Sequence, residues 1–390
     1  MQPDETFPLT ILEAASASLD ITVTQRKQIE GSYAGVGSAL CESDLLRPHS
    51  PHIQAQGSFL LGTVVKPTPD AEFDVDGTCL LSLDHSRHRS SDVYNAVFKT
   101  LTDHGTYKNM VEPKNRCVRV NYADERFHLD MTPCVPNAVA PLAVHVPDRE
   151  LKVWKPSNPQ LYAKLFEEVA VKQPRLESDM VALANSKHAL SARIDSLPPE
   201  EGFRKKLLKR LVQLMKRHRD IYFEKKSGKV ISIIMTTLAA KAYGKLVEGR
   251  VYPSLLDFAI AVVDDMPTHI KVFDIAGLPF YMIENPAVEG ENFSDKWNSD
   301  ATLPNAFDRW HSTIRAELRA FRQATLGNDG TKVLIEKTAA IYGQQPANLA
   351  AREIASRTGD MHRAGAIHIT PALSIGATGI KAKPTSYYGT

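Results

Sequence analysis

Two aspartates one residue apart, Asp74 and Asp76, form the pattern in this sequence best suited to chemistry. In an extended strand, side chains at i and i+2 share a face. Glu72-Phe73-Asp74-Val75-Asp76 therefore sends both carboxylates to one side and turns Phe73 and Val75 toward a core. Carboxylates so close repel each other unless cations lie between them, and hard divalent ions with oxygen ligands are the natural partners. A third acid is available in Phe127-His128-Leu129-Asp130-Met131-Thr132, where apolar and polar residues alternate and Asp130 falls on the polar face. Three acids on adjacent strands suit two Mg²⁺ ions (Mn²⁺ as a substitute) about 3.5–4 Å apart. Such a pair supports in-line displacement at phosphorus, one ion activating the attacking hydroxyl and the other neutralising the leaving pyrophosphate.

Gly57-Ser58 supplies what the acids lack. Glycine lets backbone approach a phosphate closely, and the following N–H with the Ser58 hydroxyl can donate to phosphate oxygens. No G-K-[ST] follows, so this is not a Walker A loop. Each piece alone is common. A G-S turn, a D-x-D strand sixteen residues after Ser58 and a later strand with a lone Asp form a far more specific set.

These groups need a sheet and flanking helices to hold them. Leu9 to Leu46 reads as mostly helical. From Gln54 to about Pro147 short β runs alternate with turns and one helix, Ser90 to His104, with Ser90 or Ser91 as its cap and Asp92 in its first turn. Arg116–Tyr122 and Arg126–Thr132 read as a hairpin. A Pro-rich passage, Pro133 to Pro159, interrupts the pattern, and beyond it helices predominate: Asn158–Ala170, Glu177–Leu190, Glu200–Tyr222, Val230–Gly244, Tyr252–Pro267, Ala306–Leu326, Thr331–Tyr342 and Pro346–Arg357. The division expected is residues 1–155 as a catalytic lobe with an N-terminal helix, 156–358 as a helical substrate-binding lobe, and 359–390 as a flexible tail.

At 390 residues the chain is long enough for about two domains. Its 47 basic and 45 acidic side chains argue against a polyanion-coating protein. No apolar run is long enough to span a membrane. The start, Met1 to Ile11, has no cationic segment of the secretory kind. The four cysteines form no C-x-x-C pair, which fits a reducing, cytoplasmic setting and buried packing roles.

The blocks QGSFLLGT (56–63), EFDVDGTCLL (72–81) and FHLDMTP (127–133) resemble the polymerase-β-like nucleotidyltransferases. With LVQLMKRHRD (211–220), ISIIMTTLAAKAY (231–243) and IENPAVEGENFSDKW (283–297), the sequence most resembles the cGAS/DncV-like nucleotidyltransferases (CD-NTases) of bacterial anti-phage signalling. The likeness covers roughly residues 20–345. It implies an α+β fold, a polymerase-β-like lobe followed by a helical lobe similar to that of the oligoadenylate synthases.

The resemblance further implies a cytoplasmic enzyme that joins two or three nucleoside triphosphates (ATP, with GTP, UTP or CTP) into a cyclic messenger, which a separate effector then binds. No membrane or nucleic-acid template is implied. By motif, Asp74, Asp76 and Asp130 would hold the metals, and Asp130 would help deprotonate the attacking ribose hydroxyl. Gly57 would shape the turn, and Ser58 would meet the terminal phosphates. Lys216 and Ser232 match the positions from which the helical lobe reaches those phosphates, with Lys209, Arg217 and Arg219 as neighbours of Lys216. Some relatives have their C-terminus joined to other molecules by a ubiquitin-transfer-like accessory enzyme, and the end Tyr387-Tyr388-Gly389-Thr390 is compatible with that.

Other features read more simply. Arg204 to Arg219 holds eight Lys or Arg residues on an amphipathic helix whose apolar face is Leu207, Leu208, Leu211, Val212 and Met215. Most of those charges fit a solvated face. His128, on the face of Asp130, suits a hydrogen bond to a neighbour better than catalysis. Asn285 and Asn292–Trp297 read as anchors of a helix, and Tyr281 as a core side chain. Rival functions are a linear template-independent polymerase, making RNA tails or 2′-5′ oligoadenylate, and a non-catalytic nucleotide sensor. Three converging acids exceed what a sensor needs.

Overall fold

The computed structural model describes residues 6–68, 72–123, 126–177, 207–327, 329–363 and three short tail pieces, 368–369, 375–376 and 380–381. The chain forms two compact units. One comprises Asp20–Val171 with Lys271–Asp295, and the other Met1–Leu19, Lys172–Ile270 and Lys296–Thr390.

The N-terminal region is two helices, α1 (Thr6–Ala17) and α2 (Val23–Glu42). They separate because Thr22 caps α2: its hydroxyl accepts from Gln25 N at 3.1 Å while its own N–H donates to the Gln25 side chain at 3.0 Å. The mostly helical stretch expected over residues 9–46 is thus two helices with a capped break between them. α2 buries Ile29, Val36 and Leu40 along one stripe.

The sheet unit contains β1 (His52–Ala55), a single-turn helix α3 (Gly57–Leu61), β2 (Phe73–Leu80), α4 (Ser90–Asp103), β3 (Val111–Pro113), β4 (Val118–Tyr122), β5 (Phe127–Pro136), β6 (Val144–Asp148), β7 (Val153–Ser157) and α5 (Pro159–Ala170). The strand order is β1-β2-β5-β4-β3, with β6 on β5 and β7 on β6. β2 and β5 run parallel and the other pairs antiparallel. The Pro-rich passage is therefore strand in part, because Val144 and Val146 alternate inward and bury.

Strand alternation sorts the sheet into two faces. Val75, Cys79, Val118, Val120, Tyr122, Phe127, Leu129 and Met131 join one core with Ile29, Val36 and Leu40 of α2 and Val93, Tyr94, Val97 and Leu101 of α4. Those α4 positions recur at helical spacing, so one stripe seals this face. The opposite face carries Asp74, Asp76, Arg119, His128 and Asp130.

The helical unit contains α6 (Leu207–Tyr222), α7 (Ser232–Leu246), α8 (Leu255–Asp265), α9 (Thr302–Leu326), α10 (Thr331–Tyr342) and α11 (Gln344–Arg363). Its largest buried side chains include Trp310, Phe321, Phe307, Tyr243 and Phe258. Trp310 Nε1–H donates to His218 Nδ1 at 2.9 Å, so the ring proton sits on Nε2 and is donated to Glu317 at 2.9 Å.

These units differ from a division at residue 155/156 in three places. α1 packs on α10 and α11, α5 joins the sheet unit, and Lys271–Asp295 returns to it. The returning segment holds a hairpin, β10 and β11 in chain order after the two-residue strands β8 (Arg175–Leu176) and β9 (Val251–Tyr252), pairing Lys271–Ile275 with Leu278–Met282. In the tail, His368–Ile369 pairs with Ile375–Gly376 and Ile380–Lys381, a departure from the unstructured tail expected there. The helix expected at Glu177–Leu190, the start of that expected at Glu200–Tyr222, and the C-terminal Tyr387–Thr390 lie outside the described residues. Among the described residues no helix is long and apolar enough to cross a membrane.

Candidate active site

The parallel register of β2 and β5 puts Asp76 opposite Asp130 and Asp74 opposite His128. On the other side of β5, antiparallel β4 puts Arg119 opposite Asp130 and Asn121 opposite His128. The structure thus brings together the three acids that the sequence singles out, on the sheet face away from α2 and α4.

The Gly57-Ser58 turn is tied to both aspartate strands. Gln56 N–H donates to Asp76 O at 3.0 Å, continuing the β1–β2 ladder, and the Gln56 side-chain amide donates to Thr132 Oγ1 on β5 at 3.2 Å. From α5, Gln160 donates to Ala55 O at 3.1 Å. Gly57 has φ +61°, and a Cβ built there would lie 2.0 Å from Asp76 Oδ2. Both the backbone and the close carboxylate demand glycine. Ser58 follows in the single turn of α3, which Gly62 closes with φ +66°.

The charges of this face are distributed unevenly. Arg119 forks onto Asp130, Nε to Oδ1 and Nη2 to Oδ2, both at 2.7 Å, and Nη2 lies 3.9 Å from Asp74 Oδ1. The hydrogen bond to Asp130 raises the Arg119 pKa above its ordinary value. His128 Nε2 contacts Asp74 Oδ1, and its Nδ1 lies 3.4 Å from Glu72. Burial disfavours the charged imidazole, but the Asp74 hydrogen bond and charge outweigh it and hold the His128 pKa above 6.5. Burial pushes the Cys117 thiol pKa up, and the Asp130 charge adds to this. The Asp74 side chain is 69% exposed and Asp130 only 15%, so one acid is open to a ligand while the other is held within the sheet.

Among the described residues no three His, Cys, Asp or Glu side chains stand as a ready chelate. Asp130 has both oxygens on Arg119, and Asp74 meets His128. The donor set nevertheless suits a divalent ion: three carboxylates supply hard oxygens, and Asp76 Oδ2 occupies space that a Cβ at position 57 would take. The Arg119 guanidinium already places positive charge between Asp130 and Asp74.

In the helical unit, Lys216 is buried on α6 and Ser232 opens α7. The cation at Ser232 is Arg219, whose Nη1 donates to Ser232 Oγ at 2.8 Å and to Val230 O at 3.1 Å. Arg219 also grips Asp220 through Nε and Nη2, at 2.9 and 2.7 Å, and Lys229 joins Asp220 at 2.9 Å. The block at 283–297 is a loop, closed by the Glu284–Asn292 bridge, that leads into a 3₁₀ helix at Asp295–Asn298. Asn292 Oδ1 accepts from Ile283 N, Ser294 N and Ser294 Oγ, and its Nδ2 donates to Tyr281 O.

Sequence reasoning did not reach Arg119, Gln56 or Thr132. Arg119 carries a signal: Val118, Val120 and Tyr122 alternate inward, which leaves Arg119 on the face of Asp130. Gln56 and Thr132 carry none, since their bond spans 76 positions.

This sheet, with helices on one face and acids on the other, defines a nucleotidyltransferase of the polymerase-β type. A domain family described as Second Messenger Oligonucleotide or Dinucleotide Synthetase matches residues 11–169. The chain is 29% identical over 318 residues to a c-di-GMP synthase of Roseivirga ehrenbergii, covering 81% of this chain and 79% of that protein. It shares its fold with the Bradyrhizobium diazoefficiens CD-NTase CdnG, solved in complex with GTP (TM-score 0.63, 19% identity, 91% of this chain and 99% of that one). It also matches Escherichia coli CdnC, solved in a complex with HORMA-deltaN (TM-score 0.54, 13% identity, 86% and 97%). Residues 11–169 thus match the second-messenger synthetase domain, and the chain as a whole shares the fold of solved cGAS/DncV-like nucleotidyltransferases (CD-NTases).

Proposed function

We propose that this enzyme makes a cyclic dinucleotide from nucleoside triphosphates, with GTP as the first substrate to test, and that Asp74, Asp76 and Asp130 hold two Mg²⁺ ions. The observation that carries this reading is the level pairing of Asp76 and Asp130 on adjacent parallel strands, beside a glycine turn hydrogen-bonded to both strands. The relative from Roseivirga ehrenbergii is a c-di-GMP synthase by name, which supports GTP as the first substrate to test. Bound metal would neutralise the charge that builds up on the α-phosphate and the departing pyrophosphate.

The chain's own groups do the positioning. The N–H groups of the Gly57-Ser58 turn and the Ser58 hydroxyl donate to the donor's terminal phosphates. Asp130 accepts the proton of the attacking ribose hydroxyl. Ser232, with Arg219 and Lys216 on α6, supplies the helical unit's donors to phosphate. Positioning of this kind accounts for most of the acceleration in phosphoryl transfer. The product would act as a messenger for a separate effector.

The test is incubation with each triphosphate singly and in mixture, with Mg²⁺, followed by mass spectrometry. A phosphatase-resistant cyclic dinucleotide from GTP, with pyrophosphate release, is expected. Asp74→Asn with Asp76→Asn should lower pyrophosphate release by roughly a thousandfold or more. Products that lengthen with time would instead identify a linear polymerase, and undiminished turnover in the double variant would remove the metal assignment.

A further inference from the structure

We propose that Arg119 is a built-in counter-cation: a positioning residue that holds Asp130 in place before metal arrives, competes with metal for the charge of Asp130 and Asp74, and thereby couples metal loading to nucleotide binding. The inference rests on the assignment of Asp130 as a metal ligand and concerns what opposes that ligation.

The argument starts from charge. On this face Glu72, Asp74, Asp76 and Asp130 stand against Arg119 and His128. The Asp130 side chain is only 15% exposed, far less than those of Asp74 and Glu72, and a carboxylate withdrawn from water is costly unless it is paired. Arg119 meets that need with a fork on both oxygens, the strongest geometry available to a guanidinium. Backbone register sets the pairing, since Arg119 is the cross-strand neighbour of Asp130 in the β4–β5 ladder. A loop cation could leave at little cost, whereas this one is carried by the sheet.

The fork has a consequence for ligation. Each Asp130 oxygen accepts one N–H from Arg119, so an ion at Asp130 must share the carboxylate's remaining lone pairs and its charge with the guanidinium. The guanidinium also lies 3.9 Å from Asp74, so an incoming dication meets a resident positive charge between two of its three acids. Arg119 therefore weakens metal binding to the protein alone. A triphosphate changes the balance, because its oxygens offer the displaced guanidinium a new partner. Metal and nucleotide then favour each other's binding, and the coupling is reciprocal.

The experiment is Mn²⁺ titration of the intact chain, by calorimetry or electron paramagnetic resonance, with and without a non-hydrolysable GTP analogue. R119Q should bind Mn²⁺ about tenfold more tightly than wild type without nucleotide. The gain in Mn²⁺ affinity conferred by the analogue should shrink by a similar factor. R119K keeps the charge but loses the fork, and should fall between the two. Folding of each variant is checked by circular dichroism. If R119Q does not fold, R119K carries the test and must still bind Mn²⁺ more tightly than wild type. Wild-type or weaker Mn²⁺ affinity in the folded variant would overturn the proposal. D76N separates the two readings. If it binds Mn²⁺ as wild type does, the metal assignment itself has failed; if it loses Mn²⁺ while R119Q is unchanged, only the role of Arg119 has failed.

Discussion

Arg119, half-buried, and Arg219, buried, both grip a carboxylate, yet their surroundings differ. Around Arg119 stand Asp130, which it forks, and Asp74 at 3.9 Å, with His128 between Asp74 and Glu72. Around Arg219, the carboxylate is Asp220, which Lys229 shares, and the remaining N–H groups go to Val230 O and Ser232 Oγ. The first cluster is thus built around carboxylates and the second around hydrogen-bond donors. In the helical unit the Trp310–His218–Glu317 chain closes its own hydrogen bonds. A satisfied buried chain of this kind holds the fold, whereas a cluster of like charges costs stability unless cations balance it.

The largest test of this contrast compares two glycines with positive φ. Gly57→Ala should lower turnover by about a hundredfold or more, because the new Cβ, 2.0 Å from Asp76 Oδ2, must push the carboxylate or the turn out of place. Gly343→Ala, at φ +90° with its Cβ 3.3 Å from Ile221, should cost about 1–2 kcal/mol of stability and leave the turnover of folded enzyme unchanged. Equal activity losses in the two variants would erase the distinction.

A smaller effect follows for the satisfied chain. His218→Leu strands the Trp310 N–H and one bond to Glu317, and should cost about 2 kcal/mol in denaturant unfolding. A loss of activity without a loss of stability would move His218 from the fold to the chemistry.

The smallest effects are in pH, with opposite signs. Burial lowers the His311 pKa below 6.5 despite its bond to Val263 O. Its neutral form is the folded form, so its contribution is present above pH 6.5 and is lost as pH falls below that value. At His128 the Asp74 interaction outweighs burial and raises the pKa above 6.5, so its contribution is present below pH 6.5 and is lost as pH rises through the raised value. Thermal unfolding across pH should show H311Q flattening the acid side of the stability curve and H128Q the neutral-to-alkaline side. The same slope change in both variants would contradict the assigned signs.

Much of the site was legible because strands repeat every two residues. Alternation alone put Asp74 with Asp76, and Asp130 with His128. The glycine at 57 was legible as a close approach to phosphate, whereas its closest observed neighbour is Asp76. The choice among Lys209, Lys216, Arg217 and Arg219 was not legible, because helical periodicity places several cations near one edge. Only packing shows that Arg219 is the one at Ser232. The helix α1 misled for a related reason: it precedes the sheet in sequence but packs on α10 and α11.

By itself, then, the sequence determined which side chains share a face, where the tight turn falls and which chemistry three clustered acids can support, since all of these depend on local geometry repeated along the chain. The tertiary structure alone decided that Arg119 opposes Asp130, that Gln56 reaches Thr132 and that residues 271–295 return to the sheet unit. Those relations depend on strand register and on burying apolar stripes from distant segments, and no local rule encodes either.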